Sequence, residues 1–178
     1  MRCSLVVVAL SAIFPLARQL PAQSTEEAAS AFAPRPAVSL SAGVSQFDLS
    51  GTGSMGVVAA RGELPILPAL LLEGGVTLAR PEQQFSDRST LVMPEIQLQL
   101  QLPRRVAPYL GIGTGFATDV ASERYGGTNS EVTFAESAGL RAAITRQVGL
   151  RVELRIREFG EAFSGTTADW TLGAAWRF

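Results

Sequence analysis

The sequence predicts an all-β protein: an eight-stranded antiparallel up-and-down barrel that crosses a membrane. Three observations carry that expectation. From Ala37 onward apolar and polar residues alternate with period two, which gives each segment two unlike faces, as in a strand. The connections between these segments are alternately tight and longer, as they are in outer-membrane barrels with short periplasmic turns and longer extracellular loops. The last stretch, Ala168 to Phe178, puts Trp170, Leu172, Ala174, Trp176 and Phe178 on one face and Asp169, Thr171, Gly173, Ala175 and Arg177 on the other. A strand that reaches a bilayer interface has a reason to end on an aromatic residue.

Composition narrows the class. The chain has 178 residues, enough for one domain. It is 47% hydrophobic but only 17% charged, against roughly 25% charged in ordinary soluble domains. No apolar run after the first 20 residues approaches the ~20 needed for a transmembrane helix. The formal charge of −1 leaves no nucleic-acid footprint. All 15 basic residues are arginine, and there is no histidine. The one cysteine, Cys3, lies in the leader, so no disulfide is expected in the exported chain.

The leader, residues 1–22, has an early charge at Arg2, an apolar run from Leu5 to Leu16, and Leu20-Pro21-Ala22 at its end. That is the layout of a secretory signal peptide. Cleavage is expected after Ala22, with Ala29-Ser30-Ala31 as a second candidate. Residues 23–36 read as a flexible N-terminal tail, and residues 37–178 as the barrel.

The strands follow in order. The first, about 37–47, aligns Val38, Leu40, Ala42 and Val44. The second, about 55–64, sets Val58, Ala60, Gly62 and Leu64 against Arg61 and Glu63. The third, about 69–79, sets Leu70, Leu72, Gly74, Val76 and Leu78 against Glu73. The fourth carries Glu95 to Leu102 as four consecutive polar–apolar pairs, which no amphipathic helix produces. Pro94 cannot donate to a ladder, so it marks either a bulge or the start of that strand. The fifth, Tyr109 to Phe116, has Gly111, Gly113 and Gly115 in one phase, a face stripped to make room for long side chains from other strands. The sixth, about 131–144, aligns Val132, Phe134, Ala138, Leu140, Ala142 and Ile144 opposite Arg141. Glu136 breaks its apolar phase, and a bulge is expected there. The seventh, about 148–158, alternates Leu150, Val152, Leu154 and Ile156 with Arg151, Glu153, Arg155 and Arg157. The eighth should close on the first near Val38 to Val44, removing the sheet edges.

A soluble carrier of the lipocalin kind also alternates, with its apolar face turned inward. Two features favour the opposite orientation. The polar phase holds Arg61, Glu63, Glu73, Glu95, Arg141, Arg151, Glu153, Arg155, Arg157, Asp169 and Arg177. An eight-stranded barrel has an interior just wide enough for side chains to fill, and buried charges must be paired. These residues are therefore expected to form a lumen charge network. The aromatics also gather at strand ends: Phe47, Phe116, Phe134, Phe159 and Trp170 toward the loops, and Tyr109, Trp176 and Phe178 toward the turns. Such belts around an aliphatic band suit a bilayer.

Four segments carry a resemblance: Pro108 to Phe116, Ala138 to Arg141, Gly149 to Arg155, and Trp176-Arg177-Phe178. With them the chain resembles the small eight-stranded outer-membrane β-barrel family that includes the OmpA-like and OmpX-like barrels. The resemblance implies a bacterial outer-membrane location reached through the secretory pathway. It also implies that Trp176 and Phe178 form a C-terminal insertion signal. The implied partners are outer-membrane lipids, the outer-membrane assembly machinery and periplasmic chaperones. A monomer is expected.

The chemistry excluded is informative. Outer-membrane barrel enzymes generally use a catalytic histidine, and this chain has none. No phosphate-binding glycine loop or acidic calcium loop is present. The expectation is a non-enzymatic envelope protein with a side-chain-filled polar lumen, without catalytic residues, cofactor or metal. The alternatives are a narrow passive pore, a surface adhesin using Phe85, Tyr125 and Phe163 in its loops, and a soluble lipocalin-like periplasmic lipid carrier.

Overall fold

A computed structural model of the chain describes residues 34–47, 53–81, 90–120, 130–160 and 165–178. The expected signal peptide, both cleavage candidates and most of the tail lie outside the described residues. So do Phe85, Tyr125 and Phe163.

Eight strands follow one another: β1 (Ala37–Phe47), β2 (Gly53–Leu67), β3 (Leu70–Pro81), β4 (Thr90–Gln101), β5 (Val106–Val120), β6 (Ser130–Ala143), β7 (Val148–Phe159) and β8 (Thr166–Arg177). Each pairs antiparallel with its sequence neighbours, and β8 pairs with β1, so the sheet closes into an up-and-down barrel. Closure sets Val38 opposite Trp176 and Val44 opposite Trp170, the region expected from sequence. Closing the sheet leaves no edge whose backbone N–H and C=O groups would stand unpaired in hydrocarbon. The short connections, 68–69, 102–105 and 144–147, share one end of the barrel. The strand ends that flank the longest connections lie at the other, and in outer-membrane barrels the short-turn end is the periplasmic one.

The period-two pattern puts aliphatic side chains outward. Leu40, Ile112, Phe134 and Leu172 are each more than 60% exposed, as a lipid-facing wall requires. That orientation is the reverse of a soluble carrier with an apolar interior.

Two local expectations are corrected. Pro94 is neither a bulge nor the start of a strand. β4 begins at Thr90, and its ladder to β5 skips Met93 and Pro94 but resumes in the same register, with Val92 opposite Thr118 and Glu95 opposite Gly115. A proline without an N–H omits a bond there without shifting the strand. Glu136 causes no bulge either. The ladders on both its sides run unbroken, setting it between Ile112 and Ile156, and its side chain is exposed on the outer wall. The irregularity lies elsewhere, in a register shift of β2 against β3 between Pro65 and Leu67.

The aromatic belts are also smaller than expected. Phe116, Phe134 and Trp170 face outward near the loop end, and Trp176 and Phe178 near the turn end. Tyr109, expected in the turn-end belt, is buried inside the barrel. Phe159, expected in the loop-end belt, packs against a buried cluster in the lumen. Both have odd numbers on strands whose odd-numbered residues point inward.

Candidate functional site in the barrel lumen

The lumen is built in two layers. At the loop end Met55 and Val57 of β2, Ala79 of β3, Leu91 and Met93 of β4, and Ala117 of β5 form a buried apolar cluster, with Phe159 against it. This apolar cap lies on the β2–β5 side of the lumen at its loop end. Below it the polar phases of the strands converge on an ionic core.

β7 is the spine of that core, because alternation stacks Arg157, Glu153, Arg155 and Arg151 along one inward face. Arg157 pairs with Glu95 and Asp169 and donates to the Thr77 hydroxyl at 3.1 Å. Arg155 bridges Glu95, Glu153 and Glu73, reaching Glu73 at 2.7 Å. Arg151 binds Glu63 at 2.9 Å and also pairs with Glu73 and Glu153. Arg61 lies 3.4 Å from Glu73 and 3.3 Å from Glu153, and it donates to Ser41 at 3.0 Å. Arg141 sits 3.1 Å from Glu63 and donates to the side-chain carbonyls of Gln99 and Gln101. Glu73 is the shared centre, within ion-pair distance of Arg61, Arg141, Arg151 and Arg155.

Ten of the eleven residues expected in the network thus meet in the lumen: five arginines against Glu63, Glu73, Glu95, Glu153 and Asp169. The core is therefore neutral. Neutrality matters because an unpaired ion in a dry interior costs several kcal/mol or more. Arg177, the eleventh, stands apart. Its guanidinium lies against Gly149 at the turn end, where a Cβ on Gly149 would come within 2.9 Å of it.

Sequence reading missed Tyr109. Its ring is stacked by Arg141 at 4.5 Å and Arg151 at 5.1 Å from the centroid. Its hydroxyl accepts from Arg151 Nε at 2.9 Å and donates to Glu153 at 2.6 Å. The space for it is made by Gly139, whose added Cβ would sit 2.5 Å from the Tyr109 hydroxyl. The signal was present: Tyr109 shares its phase with Gly111, Gly113 and Gly115. Those glycines do face long side chains from a neighbouring strand, since a Cβ on Gly113 would meet Gln97 at 2.4 Å and one on Gly115 would meet Glu95 at 2.9 Å. Alternation gives Gln97, Gln99 and Gln101 the polar phase of β4, and the structure makes them lumen residues. Gln97 donates to Ser137 at 2.9 Å, and the other two hold Arg141.

The core groups bond chiefly to one another, although Arg61 Nη2, Arg141 Nε, Gln99 Nε2 and Asp169 Oδ1 are buried without a hydrogen-bond partner. Every guanidinium of the core is committed to carboxylates, and Tyr109 is held between cations and Glu153. Among the described residues, no group of three or more His, Cys, Asp or Glu is placed to hold a metal ion.

A closed antiparallel barrel with an aliphatic exterior and an ionic interior defines an integral membrane β-barrel. The chain belongs to the outer membrane protein β-barrel domain family, whose sequence profile matches residues 11–178, and it is a protein of the bacterial outer membrane. No curated protein sequence matches it. Solved structures share the fold at low identity. Neisserial surface protein A (NspA) superposes with a TM-score of 0.68 at 16% identity, covering 82% of this chain and 99% of that one. The outer membrane protein OprG from Pseudomonas aeruginosa gives 0.56 at 12%, covering 83% and 98%. The outer membrane enzyme PagL gives 0.50 at 13%, covering 80% and 99%.

Proposed function

We propose that this protein is a closed, non-enzymatic envelope barrel. It spans the outer membrane, resists unfolding through its ionic core, and presents its loops at the cell surface. The observation that carries this reading is the two-layer filling of the lumen, an apolar cluster at the loop end over five arginines and five carboxylates, each in at least one ion pair. A conducting path would need water along the axis. Here each core guanidinium is paired with carboxylates, and Met55, Val57, Leu91 and Met93 are buried together at the loop end of the lumen.

The fold alone does not separate this role from catalysis, since the similar barrels include one described as a surface protein and one described as an enzyme. The absence of histidine from the sequence weighs against a histidine-dependent hydrolase. Reconstitution in planar bilayers tests the reading. The intact protein should give no steady conductance. A stable conductance that changes when Arg155 is replaced would overturn the closed-barrel reading in favour of a narrow pore.

A further inference from the structure

The periplasmic end of the barrel carries a one-sided charge that the lumen does not use. Arg35 precedes β1, Arg104 and Arg105 form the β4–β5 turn, Arg146 lies in the β6–β7 turn, and Arg177 ends β8. No Asp or Glu stands in the turns among the described residues at this end. Three of these arginines converge. Arg35, Arg146 and Arg177, with Thr145, Gln147 and Phe178, line one cleft of about 510 Å³. Backbone bonds fix its walls: the Arg177 N–H donates to the Gln147 carbonyl at 2.7 Å, and the Phe178 N–H donates to the Pro36 carbonyl at 2.9 Å.

Near the cleft lies a second feature of different chemistry. On the outer wall a groove of about 590 Å³ runs over Ala60, Gly62 and Ala174, between Val38, Leu40 and Trp176. Small residues on adjacent strands make the depression, and large apolar ones rim it. Val148 and Trp176, opposite each other in the β7–β8 ladder, border the groove. The next residues, Gln147 and Arg177, border the cleft. Groove and cleft thus flank the same turn-end aromatic belt, bordered by consecutive residues, and Phe178 beside them is 69% exposed.

We propose that this composite site holds one anionic phospholipid of the periplasmic leaflet. Its phosphate lies among Arg35, Arg146 and Arg177, and one acyl chain lies along the groove over β1, β2 and β8. Guanidinium forks match phosphate oxygens bidentately, and clustered arginines at a membrane surface select anionic headgroups. The depth fits the chemistry, because the cations sit just beyond the belt that marks the edge of the hydrocarbon. The site is independent of whether the lumen conducts.

Native mass spectrometry of the full-length exported protein, released from detergent after addition of phosphatidylglycerol or chain-matched phosphatidylcholine, tests the proposal. Phosphatidylglycerol should be retained roughly 30- to 150-fold more tightly than phosphatidylcholine, on the scale expected of two or three surface arginines. The R146Q/R177Q variant should lose that preference, and R35Q/R146Q, both at exposed positions, serves if R177Q does not fold. Ala174→Trp, which fills the groove, should weaken both lipids while keeping their ratio. R104Q/R105Q removes the same charge outside the cleft and should leave retention unchanged. Each variant is first required to show the heat-dependent shift of a folded barrel on SDS gels. Equal retention of the two lipids, an equal loss in R104Q/R105Q, or full displacement by inorganic phosphate would overturn the site.

Discussion

The Tyr109 hydroxyl donates to Glu153 at 2.6 Å and so ties β5 to β7 across the intervening β6. The same oxygen accepts from Arg151, while the ring is faced by two guanidiniums. One neutral side chain thus holds the ionic core at three points. Tyr109→Phe should keep the stacking and lose both hydrogen bonds, at a cost of about 1–3 kcal/mol for the buried groups left unsatisfied. Gly139→Ala should also destabilise the core, since its Cβ would collide with both the Val152 backbone carbonyl and the Tyr109 hydroxyl, costing about 1–3 kcal/mol by overpacking. Urea unfolding in lipid bilayers measures both, and the double variant should be less than additive because the two sites touch.

Glu73 is the most shared anion, within reach of four arginines. Glu73→Gln keeps the shape and removes the charge, leaving the core with one excess cation. Breaking a buried ion set this way costs about 3–5 kcal/mol, more than Tyr109→Phe. The unfolding midpoint in bilayers should fall accordingly. A cost near zero would mean that water reaches the core and screens the remaining charges.

Glu136 is a carboxylate on the lipid-facing wall between Ile112 and Ile156. Charged residues there destabilise barrels by a depth-dependent amount, less for carboxylates than for arginine. Glu136→Leu should therefore stabilise the protein by on the order of 1 kcal/mol, with the benefit appearing in bilayers rather than in urea-solubilised chains. A destabilised Glu136→Leu barrel would show that this carboxylate has a protein or headgroup partner on the wall.

Trp176 and Phe178 face lipid at the turn end, 48% and 69% exposed. If they serve as an insertion signal, Phe178→Ser should lower the amount of assembled, heat-shifting barrel in the outer membrane while the exported chain still reaches the periplasm. Normal assembly of this variant would remove that role.

The loop-end cap gives a structural prediction of its own. Met93 is nearly inaccessible and packs among Met55, Val57 and Leu91. Met93→Ala should cost about 2–5 kcal/mol by leaving a cavity. Met93→Ala combined with Met55→Ala should let water into the upper lumen, detectable as faster amide exchange in β2 and β4.

By itself the sequence determined the number of strands, their antiparallel order, the outward apolar wall and most of the lumen's charged residues. Each follows from alternation, because a period of two assigns every residue to one of two faces without reference to distant partners. The ten charges that meet in the core were legible for that reason: their phase is written locally, in runs such as Arg151-Val152-Glu153-Leu154-Arg155. Where a phase rule was set aside, the reading failed. Residue type and position along the strand point Tyr109 and Phe159 to the belts, but their odd phase puts them inside. Tertiary structure alone decided who pairs with whom. That Glu73 collects four arginines, that Arg177 stands outside the core over Gly149, and that Arg35 joins Arg146 in one cleft all depend on the stagger of strands around a closed barrel. Stagger is set by closure and by ladder register across many residues, as at Pro94, where a missing donor left the register untouched. A local pattern gives each side chain its face, and only the closed sheet gives it a height and a neighbour.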